Sequence, residues 1–103
     1  MKVYGQDIDF RITRIDDAQR YKAALDKMQK DEQKLQKLKN SDLAVFLKSY
    51  IEMFQRFFIN ATGVDILAEC SDAQEAHDAY MSFLREIKLA KTNITNFTLE
   101  DVE

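Results

Sequence analysis

The chain has 103 residues, of which 46% are hydrophobic and 32% charged, and its net charge is −3. This length predicts one domain with a modest core, and the balanced charge gives no basic field of the kind that nucleic-acid binding requires. A single cysteine excludes an internal disulfide framework, and the first ten residues have no apolar run typical of a signal peptide. We therefore expect a cytoplasmic protein.

A short β-hairpin is predicted at about residues 2–12. Gly5 gives a turn signal, and Ile8, Phe10 and Ile12 alternate with polar residues, as in a strand with one buried face. A two-stranded sheet is marginal on its own in water. We therefore expect the hairpin to pack on the helices that follow it.

Helix one is predicted at about residues 17–39, with Asp16 or Asp17 as its N-cap. Its first half carries one apolar stripe, which consists of Ala18, Tyr21, Leu25 and Met28. Its second half has only Leu35 and Leu38 to bury, although its helix propensity is high. We therefore expect this half to continue as helix while it projects past the core.

Helix two is predicted at about residues 42–62, the most apolar stretch of the chain, with Gly63 as the residue that ends it. Lys48, Glu52 and Arg56 recur every four residues and therefore share one face, which identifies an amphipathic buried helix and excludes a membrane span. The opposite half carries Leu43, Phe46, Leu47, Tyr50, Ile51, Phe54, Phe57, Phe58 and Ala61.

Helix three is predicted at about residues 72–91, with Ser71 as N-cap and Gln74 completing a capping box. Residues 92–103 are polar and acidic, and we expect them to form a flexible tail. Residues 1–91 then form a single α+β domain, mostly α, with the N-terminal β-hairpin packed on a three-helix bundle. The side chains expected to anchor its core are Leu25, Phe54, Phe57, Phe83 and Leu84.

The chain offers few residues for catalysis or metal binding. His77 is the only candidate base, and Cys70 the only candidate nucleophile. A zinc site needs three or four ligands, and His77 stands about two helical turns from Cys70, too far for a direct hydrogen bond. Asn93 and Asn96 match the N-glycosylation pattern. Without a secretory signal, this match is a coincidence. We predict no enzyme activity, no cofactor and no metal.

A basic stripe lies on helix one, where Lys27, Lys30, Lys34 and Lys37 share one face. Such a stripe is able to contact phosphate, so a small nucleic-acid-binding regulator is the alternative function. Acidic residues are interspersed with these lysines, and aromatic residues for stacking on bases are absent. A solvated helix face is the favoured interpretation, with no nucleic-acid partner.

The remaining candidate for a functional site is a surface that binds other proteins. The apolar arc of helix two spans roughly 180°, wider than the roughly 100° that faces a core. The rest of the fold covers this arc, or else a second copy or a partner helix does. The sequence leaves both possibilities open. We expect a homo-oligomer that binds protein partners and no membrane. The residues predicted to bind protein are Leu35, Leu38, Val45, Phe46, Met53, Phe57 and Ile59.

The order of these segments resembles that of small phage and prophage tail proteins. The shared features are a Gly-turned hairpin (MKVYGQDIDF), a charged helix (IDDAQRYKAALDKMQ), a Phe-rich helix (YIEMFQRFFINATG), a VDIL connector and a last amphipathic helix (AHDAYMSFLREIK). The resemblance covers about residues 1–97, and AECSDA departs from it where a more Gly-rich link is expected. It implies a tail assembly chaperone of the host-cell cytoplasm, which keeps the tape measure protein soluble and carries no catalytic site.

Overall fold

The computed structural model describes the backbone of residues 1–102 and the side chains of residues 1–96. Over this part of the chain, a two-stranded antiparallel hairpin precedes three helices. The elements are β1 (Lys2–Val3), β2 (Gln6–Asp7), α1 (Ile15–Gln36), α2 (Leu43–Thr62) and α3 (Ala73–Val102). The predicted α+β architecture, mostly helical with an N-terminal hairpin, is confirmed. The last residue of the predicted tail, Glu103, lies outside the described residues.

The hairpin turns at Tyr4 and Gly5, between the paired residues Val3 and Gln6. Both turn residues have positive φ, 50° for Tyr4 and 77° for Gly5. Two successive residues with positive φ are the feature of a type I′ turn, whose twist matches that of the flanking strands. Gly5 thus supplies the predicted turn, as its second central residue.

The predicted extent of the hairpin, residues 2–12, is too long, because each strand has only two residues. The alternation of burial nevertheless continues beyond β2: Ile8 and Phe10 are buried, whereas Asp9 between them is exposed. The backbone N–H of Ile8 donates to the carbonyl oxygen of Met1 at 2.8 Å, and the amino group of Met1 donates to the carbonyl oxygen of Ile8 at 3.2 Å. Phe10, farther along, packs in the core. The amide of Gln6 also donates a hydrogen bond of 2.8 Å to the carbonyl oxygen of Ile66.

The predicted N-cap of α1 is wrong. The helix begins at Ile15, and Arg14 stands at the cap position without a capping side-chain hydrogen bond. Asp17 is buried, and its carboxylate accepts a hydrogen bond of 2.9 Å from the backbone N–H of Arg11. The guanidinium of Arg14 lies 3.0 Å from the same carboxylate. Asp17 therefore fastens the preceding segment to the first turn of the helix.

The second half of α1 does not project past the core as predicted. Met28 and Leu35 are both buried, and because they lie two turns apart they face the same side of the helix. An ion pair of 3.0 Å between Asp31 and Arg56 joins α1 to α2 beside them. Two apolar residues at this spacing are thus sufficient to hold α1 against α2 until it ends at Gln36.

α2 ends at Gly63 as predicted, and Asp42 is its N-cap. The carboxylate of Asp42 accepts hydrogen bonds from the backbone N–H groups of Ala44 at 2.8 Å and Val45 at 3.4 Å. At the other end, Gly63 has a left-handed conformation with φ of 77°, and its N–H donates to the carbonyl oxygen of Ile59. Only glycine adopts this conformation without a steric penalty.

The first turn of α3 is capped one residue later than predicted. The carboxylate of Asp72, and not the hydroxyl of Ser71, accepts hydrogen bonds from the backbone N–H groups of Gln74 at 2.8 Å and Glu75 at 3.2 Å. Aspartate and serine are both favoured at this position. Ser71 and Asp72 are therefore both suitable caps by sequence, and the packing of the chain determines that Asp72 is used.

The predicted end of α3 at residue 91 is also wrong, because the helix continues to Val102. The chain has no proline, and its two glycines precede α3, so no helix-breaking residue interrupts this stretch. The continuation elongates the molecule, whose extents are 56 × 26 × 21 Å and whose radius of gyration is 15.6 Å. A compact domain of this length has a radius of gyration of about 13 Å.

The core contains Phe54, Phe57 and Phe83, as predicted, and Leu25 packs at its edge. Leu84 is only partly buried and lies outside the core, so this prediction is wrong. The buried face of α3 consists instead of Ala76, Ala79, Phe83 and Ile87. Fully buried core residues not included among the predicted anchors include Phe58, Ala61, Ile66 and Leu67.

We expect Phe54→Ala to lower the free energy of unfolding by about 3–5 kcal/mol, because its ring is buried and its removal leaves a cavity. Ile59→Ala is the matched control on the same helix, where an exposed side chain contributes within about 0.5 kcal/mol. Urea denaturation of both variants measures the difference. Equal stability of the two variants would contradict the position of Phe54 in the core.

Candidate functional site

The two halves of α2 differ in how far the rest of the chain covers them. From Ile51 onward the apolar side chains of α2 are largely buried, with the exception of Ile59. Before Ile51, Leu43 is 71% exposed, Val45 49% and Leu47 39%. A run of apolar residues that remains exposed together is more informative than isolated surface leucines, because such patches mark interfaces. We call residues 43–47 the apolar start of α2.

The residues that face Leu47 are small or polar. Leu47 lines one groove with Ala73, Gln74 and His77, and another with Cys70 and Ser71. The residues that precede α2, 37–42, are also polar except for Leu38, which is partly buried. No large apolar side chain from outside α2 lines these two grooves, so Leu47 stays exposed.

An open groove lies between the end of α1 and the first half of α2. We call it the aromatic groove; its volume is about 340 Å³. It is lined by Met28, Glu32, Leu35, Gln36, Lys39, Phe46, Tyr50, Met53, Phe54 and Tyr80. Ring-to-ring contacts run along it, with centroids 6.3 Å apart for Phe46–Tyr50, 5.0 Å for Tyr50–Phe54 and 4.7 Å for Phe54–Tyr80.

A second groove opens on the α3 side of the same rings. Its volume is about 310 Å³, and it is lined by Phe46, Leu47, Tyr50, Ala73, Gln74 and His77. Phe46 and Tyr50 belong to both grooves and therefore form a ridge between them. A ridge flanked by two apolar grooves fits the apolar stripe of a helix, whose side chains recur every three or four residues.

Burial raises the pKa values of two tyrosines in the aromatic groove. The pKa of Tyr80 rises to about 12, with Tyr21 and then Glu32 adding to the effect of burial, and the pKa of Tyr50 is raised by burial and by Glu32. Because tyrosine is protonated at neutral pH even at its ordinary pKa of about 10, both phenols are able to donate hydrogen bonds to a bound segment.

The structure brings together three of the residues predicted to bind protein. Phe46, Met53 and Leu35 line the same aromatic groove. Phe46 is partly exposed, whereas Met53 and Leu35 are 5% and 7% exposed. Phe46 therefore offers a partner-facing ring, and the other two form the floor of the groove. The expectation that Met53 and Leu35 lie on a surface is wrong, because α1 covers α2 more completely than the sequence indicated.

The other predicted residues do not form one surface. Phe57 is 1% exposed and belongs to the core, so its prediction as a binding residue is wrong. Val45 and Ile59 are exposed as expected, at 49% and 43%. They are separated by about 21 Å along the helix at 1.5 Å per residue, so only Val45 lies at the apolar start of α2. Leu38 is partly buried in the turn that precedes it.

Sequence reasoning missed Leu43 and Leu47 as surface residues, because they share the helical periodicity of the buried arc of α2. The difference between Leu47 and Phe54 lies in what faces each side chain: Leu47 lies beside Cys70, Ser71 and Gln74, which are small or polar. Tyr80 is partly buried against the core, and its ring also lines the aromatic groove.

Cys70 and His77, the candidate catalytic residues, make separate contacts. Cys70 is buried, and its Sγ atom donates to the carbonyl oxygen of Asp72 at 3.3 Å. The His77 ring packs against Phe54 with centroids 6.5 Å apart, and its Nδ1 atom lies 3.6 Å from the carboxylate of Asp78. Within the part of the chain that the structure describes, no three His, Cys, Asp or Glu residues converge on a possible metal position.

Tyr4 connects the hairpin to α3 at the edge of this region. Its hydroxyl donates a hydrogen bond of 2.8 Å to the carboxylate of Glu75. This hydrogen bond is the main reason why the pKa of Tyr4 is raised, and Cys70 contributes next. The contact ties the turn of the hairpin to the first turn of α3.

Comparisons with known proteins add no relative. No protein-family model matches this chain, and no curated protein or solved structure is significantly similar to it. Among the helices that the structure describes, none has the length and apolarity needed to cross a bilayer.

We expect the double variant Leu43→Ser, Leu47→Ser to bind less of a hydrophobic dye than the parent while its free energy of unfolding stays within about 0.5 kcal/mol. The reason is that both side chains are exposed in the folded chain. Met81→Ser combined with Leu89→Ser is the matched control, with two exposed apolar residues on α3. A loss of stability above about 1.5 kcal/mol in the first variant, measured in urea, would mean that the start of α2 is covered in solution.

Proposed function

We propose that this chain is a non-enzymatic protein-binding factor that holds an apolar helix of its partner against the start of α2. The observation that carries the proposal is the exposure of Leu43, Val45 and Leu47 beside two grooves that share Phe46 and Tyr50. A helix laid along this ridge would bury the apolar surface that the rest of the chain leaves open. Each Å² of apolar surface buried contributes about 25 cal/mol to such an association.

The lining of the aromatic groove suits a partner of variable sequence. Met28 and Met53 form part of it. Methionine is unbranched and polarizable, so it adapts to side chains of different shape, and binding proteins with many clients use it for this purpose. The neutral hydroxyls of Tyr50 and Tyr80 offer polar contacts beside this apolar floor. We infer recognition of an amphipathic pattern and not of one fixed sequence.

The resemblance to phage and prophage tail proteins gives this binding role a specific setting. In that setting the partner is the tape measure protein, a long helical chain that must stay soluble in the host cytoplasm while the tail tube polymerises. A chaperone for such a client needs an exposed surface that accepts many amphipathic helical segments. The apolar start of α2 and its two grooves support this interpretation, and we propose that the chain acts as a tail assembly chaperone.

The alternative function, a nucleic-acid-binding regulator, depends on the basic stripe of α1. Lys27, Lys30, Lys34 and Lys37 are all exposed. The aromatic rings that would stack on bases lie instead in the groove on the α2 side of this helix. Phosphate contacts alone position a protein without specifying sequence. The stripe remains a predicted solvated face, and the alternative remains the weaker hypothesis.

The test is binding to a synthetic peptide copied from an amphipathic helical segment of a phage tape measure protein. We expect titration calorimetry to detect binding, and Leu47→Asp to weaken it at least about tenfold, the equivalent of 1.4 kcal/mol. Met81→Asp, a substitution at a similarly exposed site on α3, should bind as the parent does. No binding by the parent chain, or equal weakening by both variants, would contradict the proposal.

A further inference from the structure

Glu32 differs from the other acidic residues of α1 because it has no basic neighbour on its own helix. The residues three and four positions away on either side are uncharged: Met28, Gln29, Leu35 and Gln36. Side chains at these spacings are neighbours on a helix surface, where ion pairs form. A basic residue stands three or four positions from each of the other acidic residues of α1, which are Asp16, Asp17, Asp26 and Asp31. The charge of Glu32 is therefore not compensated within α1.

The other elements do not pair this carboxylate either. Among the side chains of residues 1–96, none forms an ion pair with Glu32, which is exposed. Its neighbour Asp31, by contrast, lies 3.0 Å from the guanidinium of Arg56. An unpaired carboxylate is common on a protein surface, so the surroundings of Glu32 decide whether it serves as a binding group.

The surroundings of Glu32 are aromatic. Glu32 lines the aromatic groove together with Phe46, Tyr50, Phe54 and Tyr80. Burial is the main cause of the raised pKa values of Tyr50 and Tyr80, and Glu32 adds to both, as a nearby negative charge does. Aromatic rings attract cations, and a carboxylate beside them adds a full opposite charge. This combination is the chemistry that binds a lysine ammonium or an arginine guanidinium.

A client helix laid on the ridge of Phe46 and Tyr50 brings one of its flanks over α1, where Glu32 lies. Charged residues border the apolar stripe of an amphipathic helix. Lysine and arginine also pack their aliphatic stems along apolar surface while their charged heads stay at its edge. The aromatic groove has one other charged residue in its lining, Lys39, which repels a cation placed beside it. The position that favours a basic side chain is therefore at Glu32.

We propose that the aromatic groove binds a lysine or arginine side chain of the client helix, with the cation at Glu32 and the aliphatic stem against Phe46 and Tyr50. This inference rests on the proposed function and specifies the clients: amphipathic helices with a basic residue at the border of the apolar stripe. The rings tolerate varied apolar side chains, and Glu32 adds selection by charge. A client with an acidic residue at this border is disfavoured, because its carboxylate faces Glu32.

Two synthetic helical peptides test this selectivity. Both have the same stripe of leucines, and the border positions are lysine in one peptide and glutamine in the other. We expect titration calorimetry to show that the parent chain binds the lysine peptide about tenfold more tightly, and that Glu32→Gln removes this preference. Asp26→Asn is the matched control: it changes the net charge equally at an exposed site of α1 outside the aromatic groove, and it should keep the preference. Circular dichroism verifies that each variant is folded.

The glutamine peptide separates this inference from the proposed function. Its affinity measures binding to the apolar start of α2 without the charge contact, so Leu47→Asp should weaken it, whereas Glu32→Gln should change it by less than about twofold. Equal affinity of the parent chain for the two peptides would overturn the inference and leave the proposed function standing. So would a preference that Glu32→Gln and Asp26→Asn reduce equally. No binding of either peptide would overturn both.

Discussion

The packing of this chain depends on the contacts of one ring, that of Phe83. Its centroid lies 5.2 Å from that of Phe10, 6.1 Å from Tyr21, 5.8 Å from Phe57 and 5.4 Å from Phe58. One buried side chain of α3 therefore joins the N-terminal segment, α1 and the second half of α2. The apolar start of α2 lies on the half of that helix whose rings do not contact Phe83, and its Leu43 and Leu47 are exposed.

The sequence predicts the features that depend on local chemistry or on a full period of apolar residues. Asp42 and Gly63 could be recognised as the ends of α2, and Phe54 and Phe57 as core, because caps and periodicity are local properties. The burial of Leu35 and the exposure of Leu47 could not be predicted, because each depends on which residues stand opposite in space. The end of α3 was misplaced since polarity alone does not stop a helix that lacks glycine and proline.

The chemical character of the apolar start of α2 determines which partners it suits. It adjoins a groove with methionine and tyrosine in its walls, and such surfaces accept helices of varied sequence.

The central claim is that the first half of α2 is an open binding surface, while its second half belongs to the core. Amide hydrogen exchange of the dilute protein measures both halves of the same helix in one experiment. Residues 54–62 should exchange only through global unfolding, residues 47–50 should exchange faster through local opening, and a bound client peptide should slow the exchange of residues 47–50 selectively. Equal protection of the two halves in the free protein, unchanged by the peptide, would contradict this account.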